Sequence, residues 1–436
     1  MNSIKKLLPV ILIILMVLSN IQLVKGEIEY QSNEKAILKK AESCIEQELY
    51  GKAESYYDEL VQLTGKEKYY NACIDMYASC KEYDKQVTWA EKYKNSCDES
   101  AKAYEQLIAA YYAVEDYEDI FPVFKEAKSR EITSENLEKL WEEYEFLYKE
   151  NGLNVNEIAP VYSGNYSWAS NGDKFCIIGP NGKRVTTYEY DSVGYNANNI
   201  IPIKKNGKWF LLNLETYLEA NLTFNFDFKV ESVGLYNEDM FSVSDGKKYY
   251  FSDLSYELLY GPYEYAGSFN SGVAPVKKDG KWSIINKEGK VVAGPYSDIV
   301  VDDRGVCSTG GRCFVKKDGK YIMISLDGKR VGDASFDEAK LFLSADGYAA
   351  VRNGKTWSFV DVDGKFLDIK EKYQDANSFS CGLSAVKVKG KYGYITTKGE
   401  WAIKPEYEQA RPFNKSGYAM VYEMDSWSRI LLYQYK

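Results

Sequence analysis

The sequence predicts an α + β chain built from two kinds of repeat. Helical hairpins are expected over residues 30–150. An all-β tandem repeat of about eight three-stranded units is expected over 155–436, closed into a propeller-like ring, with an open β solenoid as the alternative. Three observations carry this reading. Residues 34–150 are rich in Ala, Leu, Glu, Lys and Tyr with Pro122 as their only proline, a composition that favours helix. Within that stretch Tyr50, Tyr83 and Tyr117 stand 33 and 34 residues apart. Beyond residue 153, Asn-Gly and Asp-Gly pairs recur between alternating apolar runs, the pattern of successive tight β-hairpins.

Composition removes whole classes of chemistry. The 436 residues include no histidine, so Ser-His-Asp and Cys-His catalysis, histidine metal sites and HExxH zincins are all absent. The net charge of -9 is unevenly placed: residues 1–26 carry +3, residues 27–152 carry 29 acids against 16 bases, and 153–436 are close to neutral. An acidic helical region beside a β region without a basic stripe repels phosphate backbones, so no nucleic-acid partner is expected.

The amino terminus has the three-part form of an export signal. Lys5-Lys6 precede an apolar run from Leu7 to Leu18, and polar Ser19, Asn20 and Gln22 follow. The run is shorter than the ~20 residues of a membrane span. Residues 1–26 are therefore expected to be a signal peptide cleaved before Glu27, or a retained single membrane anchor. Either way the bulk of the chain is expected to be secreted or extracytoplasmic, at the cell envelope, with the retained segment as its only contact with a membrane. Eight cysteines suit an oxidising compartment, where disulfides persist. Cys307 and Cys313 flank a short Ser-Thr-Gly-Gly-Arg segment, and a disulfide between them stays open. Cys44, Cys73, Cys80 and Cys97 read as small apolar filler of helix packing.

The helical region divides into hairpins. The breaks are Leu49-Tyr50-Gly51-Lys52-Ala53, Glu82-Tyr83-Asp84-Lys85 and Asp116-Tyr117-Glu118-Asp119. This period and turn resemble tetratricopeptide repeats. The resemblance places Ala53, Tyr57 and Leu60, and later Phe124 and Ala127, on the inner face of each second helix. Gln86 and Ile120 depart from it, standing where the first unit has Ala53. A last helix is expected from Ser134, its N-cap, to Lys149, with Leu137, Leu140, Trp141, Tyr144 and Leu147 on one face. The tyrosines read first as packing between helices, and second as a peptide-binding groove.

In the β region, Asn171-Gly172, Asn206-Gly207, Asp245-Gly246, Asp279-Gly280, Asp318-Gly319 and Asn353-Gly354 share one place in the repeat, and Lys389-Gly390 continues it. The aromatics that follow are Phe175, Trp209, Tyr249, Trp282, Tyr321, Trp357, Tyr392 and Trp427, at intervals of 34, 40, 33, 39, 36, 35 and 35. With the second turns Gly289-Lys290, Gly328-Lys329 and Gly364-Lys365, this pattern resembles the bacterial WG-repeat family. Tyr392-Gly393 keeps the aromatic-glycine pair, whereas Trp282, Trp357 and Trp427 are followed by serine. A third element of the type Tyr-Glu-Tyr (Tyr263–Tyr265) or Phe-Asp-Glu (Phe336–Glu338) completes each unit. Ile158–Tyr162, which reads like Ile403–Tyr407, is expected to pair with the last hairpin and close the ring. The repeated aromatics are expected to fill the core between layers.

No nucleophile elbow, P-loop or GxGxxG segment occurs in a strand-to-helix context. Asp361-Val-Asp363-Gly364 reads as a hairpin turn and not a calcium loop, since Lys372 occupies the position of the bidentate acid. Asp302-Asp303-Arg304 reads as a solvated loop. No catalytic, cofactor-binding or metal-binding residue is assigned and no cofactor is expected. The expected function is an exported, non-catalytic scaffold for a protein or peptide partner. The alternative is a module binding cell-wall glycan, since Asn206–Phe210 resembles choline-binding repeats; a glycan-cleaving ring ranks third.

Overall fold

The computed structural model describes residues 25, 30–160, 166–179, 183–344 and 347–435. They form two compact units that divide between Leu147 and Tyr148. The apolar run on which the export expectation rests lies outside the described residues.

The first unit is a series of helical hairpins. Residues 30–46 form α1. It is followed by α2 (Tyr50–Thr64), α3 (Glu67–Cys80), α4 (Tyr83–Ser96), α5 (Ala101–Ala113), α6 (Tyr117–Ser129) and α7 (Glu135–Tyr144). One backbone device sets the period. Glu48, Lys81 and Glu115 end the first helix of each hairpin in the left-handed region, with φ of 56°, 62° and 59°. The next amide then reaches back to Cys44, Tyr77 and Tyr111 carbonyls at 2.8, 3.0 and 3.0 Å, satisfying carbonyls that a helix end leaves open. The repeat is thus carried by geometry more faithfully than by residue type. Ala53, Tyr57, Leu60, Phe124 and Ala127 are buried as expected. Gln86 is buried too, with its side-chain carbonyl lacking a partner. The turn tyrosines are less buried than packing alone implies, Tyr83 being 37% exposed.

Ser134 caps α7 by accepting a 3.0 Å hydrogen bond from the Leu137 amide. The helix stops at Tyr144, short of the expected Lys149, because Tyr148–Leu153 is claimed by a β-strand. Leu137 and Tyr144 are buried, and Trp141 packs edge-on to Phe121 and Phe124 at 6.1 and 5.2 Å.

Glu34 supplies an acid-sensitive tie in this unit. Its carboxylate accepts from Lys66 at 2.7 Å, from Lys68 at 3.1 Å and from the Tyr69 hydroxyl. Lys66 and Tyr69 hold it down to about 2, against an opposing push from burial. A lowered carboxylate contributes stability above its unfolded value, and that contribution fades as pH falls toward the folded one. Glu34→Gln is therefore expected to lower the melting temperature of the helical unit by a few degrees at pH 7. The deficit should shrink between about pH 4.5 and 2. Circular-dichroism melts across that range check it; a deficit independent of pH would contradict the ionic tie.

The second unit is an eight-bladed β-propeller. Each blade opens with a two-residue inner strand: Glu157–Ile158, Ser192–Val193, Ser232–Val233, Tyr265–Ala266, Asp298–Ile299, Glu338–Ala339, Asp375–Ala376 and Gln409–Ala410 for blades 1 to 8. The hairpin follows, and an outer strand completes blades 2, 3, 4, 7 and 8. Single bridges, such as Tyr321↔Phe336 and Trp357↔Tyr373, take the outer place in blades 1, 5 and 6. The expected three-stranded unit is thus met in the sheets of blades 1, 5 and 6, and the other five add a fourth strand. The Tyr-Glu-Tyr element straddles a blade joint, with Tyr263 ending one outer strand and Tyr265 opening the next inner strand.

Closure is corrected as well. The strand that pairs with the last hairpin is Tyr148–Leu153, antiparallel to Ser426–Leu432 from Tyr148↔Leu432 to Leu153↔Trp427. Glu157–Ile158 instead forms the inner strand of blade 1, against Ala169–Ser170.

The hairpin turns follow the expected chemistry at four of the seven quoted pairs. Both residues have positive φ at 206–207, 279–280, 318–319 and 389–390, as a type I′ turn requires. Asn171 and Asp245 instead open four-residue loops, each carboxyl or amide oxygen accepting two backbone amides. At Asn353-Gly354 only the glycine has positive φ. The acids that recur just before the inner strands have a structural task. Asp191, Glu264 and Asp337 each accept from the turn glycine amide of their own blade, at 2.8, 3.2 and 2.8 Å. Gln374 does the same in blade 7 at 2.9 Å.

Cys307 and Cys313, left open as a pair, are both buried reduced thiols in one apolar cluster of blade 5. They lie in side-chain contact, and this neighbour together with burial pushes the Cys307 thiol well up.

Candidate functional site

The inner strands bring one repeat position to the ring axis. The residue after each inner dipeptide is Ala159, Gly194, Gly234, Gly267, Val300, Lys340, Asn377 or Arg411, in blade order. Blades 2 to 4 carry glycine there and blades 6 to 8 carry polar side chains. The repeat is thus used in two ways around a single axis.

On the glycine side the axis is filled. Twelve residues separate the inner strand of blade 5 from its hairpin, against six in blade 4. The extra segment folds inward as a turn, with Gly305 donating to the Asp302 carbonyl at 2.8 Å and Asp302 to the Val306 carbonyl at 3.1 Å. Its Gly305 carbonyl accepts from the Ser268 amide at 2.7 Å. A β-carbon on Gly267 would stand 2.1 Å from that carbonyl oxygen, so the insertion requires glycine at this place. Val306 shares an apolar cluster with Ala197 and Leu235 of blades 2 and 3. Asp302 and Arg304, expected in a solvated loop, are 14% and 11% exposed and joined through two hydrogen bonds of 2.9 and 2.7 Å. Charged groups stay buried when they are paired in this way.

On the other side a cavity of about 460 Å³ remains. Pro160, Val300, Leu341, Leu343 and Pro412 give it apolar walls, and Asp303, Lys340, Asp375, Asn377, Tyr392 and Arg411 give it polar ones. Lys340 donates to Asp375 at 3.0 Å and to Asn377 at 3.2 Å, with its ammonium 4.8 Å from the Trp357 ring centroid. The Tyr392 hydroxyl donates to Asp375 at 2.6 Å. Burial pushes the Asp375 carboxyl up, but Lys340, Tyr392 and the Ala376 amide outweigh it and hold it below the usual carboxylate range. Tyr195, from the far side of the ring, is pushed up by burial and by Asp303, which accepts its hydrogen bond. Arg411 sits 5.6 Å from the Trp427 ring centroid. Its Nε is buried without a partner, and it makes no ion pair among the described residues.

Of the carboxylates lining the cavity, Asp375 is committed to Lys340 and Tyr392, and no group of three or more metal-ligating side chains occurs among the described residues. Sequence reasoning assigned no site residue and so missed this cavity. The signal available was the loss of repetition after three matched dipeptides, Glu338-Ala339, Asp375-Ala376 and Gln409-Ala410. The repeated aromatics, by contrast, are built into the blades: Trp209, Trp357 and Trp427 are buried.

The family model described as WG containing repeat matches residues 177–209, 263–282, 357–392 and 392–426. No curated protein matches the chain. Among solved structures, the β unit is similar to a structure titled the eukaryotic initiation factor, at 9% identity and a TM-score of 0.42, over 67% of this chain and 88% of that one. It is also similar to the WD40 domain of SCAP from fission yeast, at 9% identity and a TM-score of 0.39, over 66% and 98%. The helical unit is similar to the Sgt2 TPR domain from Aspergillus fumigatus, at 16% identity and a TM-score of 0.21, over 26% and 76%.

Proposed function

We propose that this chain is an exported, non-catalytic scaffold of a bacterial cell envelope that binds a protein or peptide partner. The observation that supports it most is how the β unit spends its polar groups. Those that repeat are committed to turns and blade joints, as Asp191, Glu264 and Asp337 are. Those that do not repeat gather around one cavity. Repeat proteins divide labour this way, holding a fixed frame and varying a docking face. Export rests on the three-part segment of residues 1–26, cleaved before Glu27 or retained as a single anchor. The glycan-binding reading stands second, because the repeat tryptophans on which it rests are enclosed: Trp209 is 8% and Trp427 3% exposed.

The test is an affinity purification of the tagged full chain from envelope fractions after mild crosslinking. A reproducible protein partner, with the chain absent from the cytosol, is the expected result. Retention on purified wall material with no protein partner would favour the glycan reading and overturn this one.

A further inference from the structure

Resting on that interaction reading, we propose that the axial cavity binds an acidic peptide segment, with Arg411 gripping a single carboxylate side chain. The charges around the cavity identify the ligand. Asp302 is paired with Arg304, and Asp375 with Lys340. Among the described residues the guanidinium of Arg411 makes no ion pair, and its Nε is a buried donor lacking an acceptor. A buried donor left open is costly, and a carboxylate meets the planar fork of arginine with two parallel hydrogen bonds. Trp427 beneath the guanidinium holds it in place from one side.

The surroundings decide which carboxylate. Asp303 and Asp375 line the same cavity, so a densely anionic ligand such as a phosphate or a polyuronate would meet repulsion. A lone carboxylate flanked by neutral groups would not. Pro160, Leu341 and Pro412 offer apolar walls for such flanks. The volume, about 460 Å³, is that of a pocket for a short segment and not for a folded domain. Because the insertion of blade 5 fills the opposite side, the segment enters as into a cup.

The test selects randomised heptapeptides displayed on phage against the intact chain and against Arg411→Met, which keeps the apolar stem over Trp427. Enriched peptides are then titrated calorimetrically beside their Glu→Gln or Asp→Asn counterparts. Enrichment of one acidic residue between apolar ones is expected. Arg411→Met and the neutralised peptide should each weaken binding at least tenfold, and together no more than either alone. Arg411→Lys, which keeps the charge and loses the fork, should fall between. If peptides are enriched but bind Arg411→Met equally well, the assignment to this cavity is overturned while the scaffold reading stands. If no peptide is enriched and polygalacturonate binds in an Arg411-dependent way, the peptide class is overturned. If neither binds although envelope purification recovers a partner, the cavity is not the docking site.

Discussion

Proline at both Glu150 and Asn151 is expected to lower the stability of the β unit by about 3 kcal/mol or more. These residues lie in the strand Tyr148–Leu153, opposite Ile430 and Arg429. Alternate amides of an edge strand face its partner, so two adjacent prolines remove at least one ladder bond whichever way the strand is turned. Glu150 also accepts a 3.0 Å hydrogen bond from the Tyr407 hydroxyl, and this is lost too. Without its outer partner, Ser426–Leu432 becomes an open edge carrying Trp427, Ile430 and Leu432, all buried at present. Urea unfolding followed by tryptophan fluorescence should show the lower midpoint, and light scattering should show oligomers formed through that edge. An unchanged midpoint with monomeric protein would mean that the ring does not depend on this strand.

The second large effect is expected at Gly393, which keeps the aromatic-glycine signature after the repeat aromatic Tyr392. A β-carbon there would stand 2.5 Å from the Ile403 carbonyl oxygen and 2.7 Å from the Pro405 nitrogen, both backbone atoms of the neighbouring outer strand. Neither can rotate away, so the sheet itself must open. Gly393→Val is expected to destabilise by about 3 kcal/mol, the upper part of the range for overpacking. Ser283→Ala, at the equivalent place in blade 4, should change stability by less than about 0.5 kcal/mol. There the outer strand supplies the glycine, Gly294, whose added β-carbon would fall 3.0 Å from the Ser283 α-carbon. One glycine per close approach suffices, on either strand. Thermal melts of both variants check the pair; equal losses would refute the steric account.

This exchange explains why the aromatic-glycine signature is sparse while the period stays clear. The hairpin turns were legible because positive φ at residues such as Asn206 and Asp279 restricts the choice of side chain. The closing strand was not. Tyr-Lys-Glu-Asn-Gly-Leu has neither alternation nor β-branched residues, and its pairing with Ser426–Leu432 overrides a local preference for continuing α7. The cavity was hidden for the opposite reason, since Lys340, Asn377 and Arg411 occupy a position where nothing repeats. A trace of the axial insertion was nonetheless present. The interval from Trp282 to Tyr321 is 39 residues where its neighbours run 33 and 36. Asp302 and Arg304 read as solvent-facing in the sequence because charge in a loop is usually exposed, and only the fold shows that they face each other.

The pairing of Tyr148 with Leu432 joins residues 284 positions apart. Contacts of such separation form late, because the entropy of closing the intervening chain must be met first. During synthesis, segment 148–153 therefore leaves the ribosome long before its partner exists, and seven blades can condense while the eighth waits unfinished. Any helper that holds nascent chains would meet this molecule in that state, with its first β segment unmatched until residues 426–432 have been made.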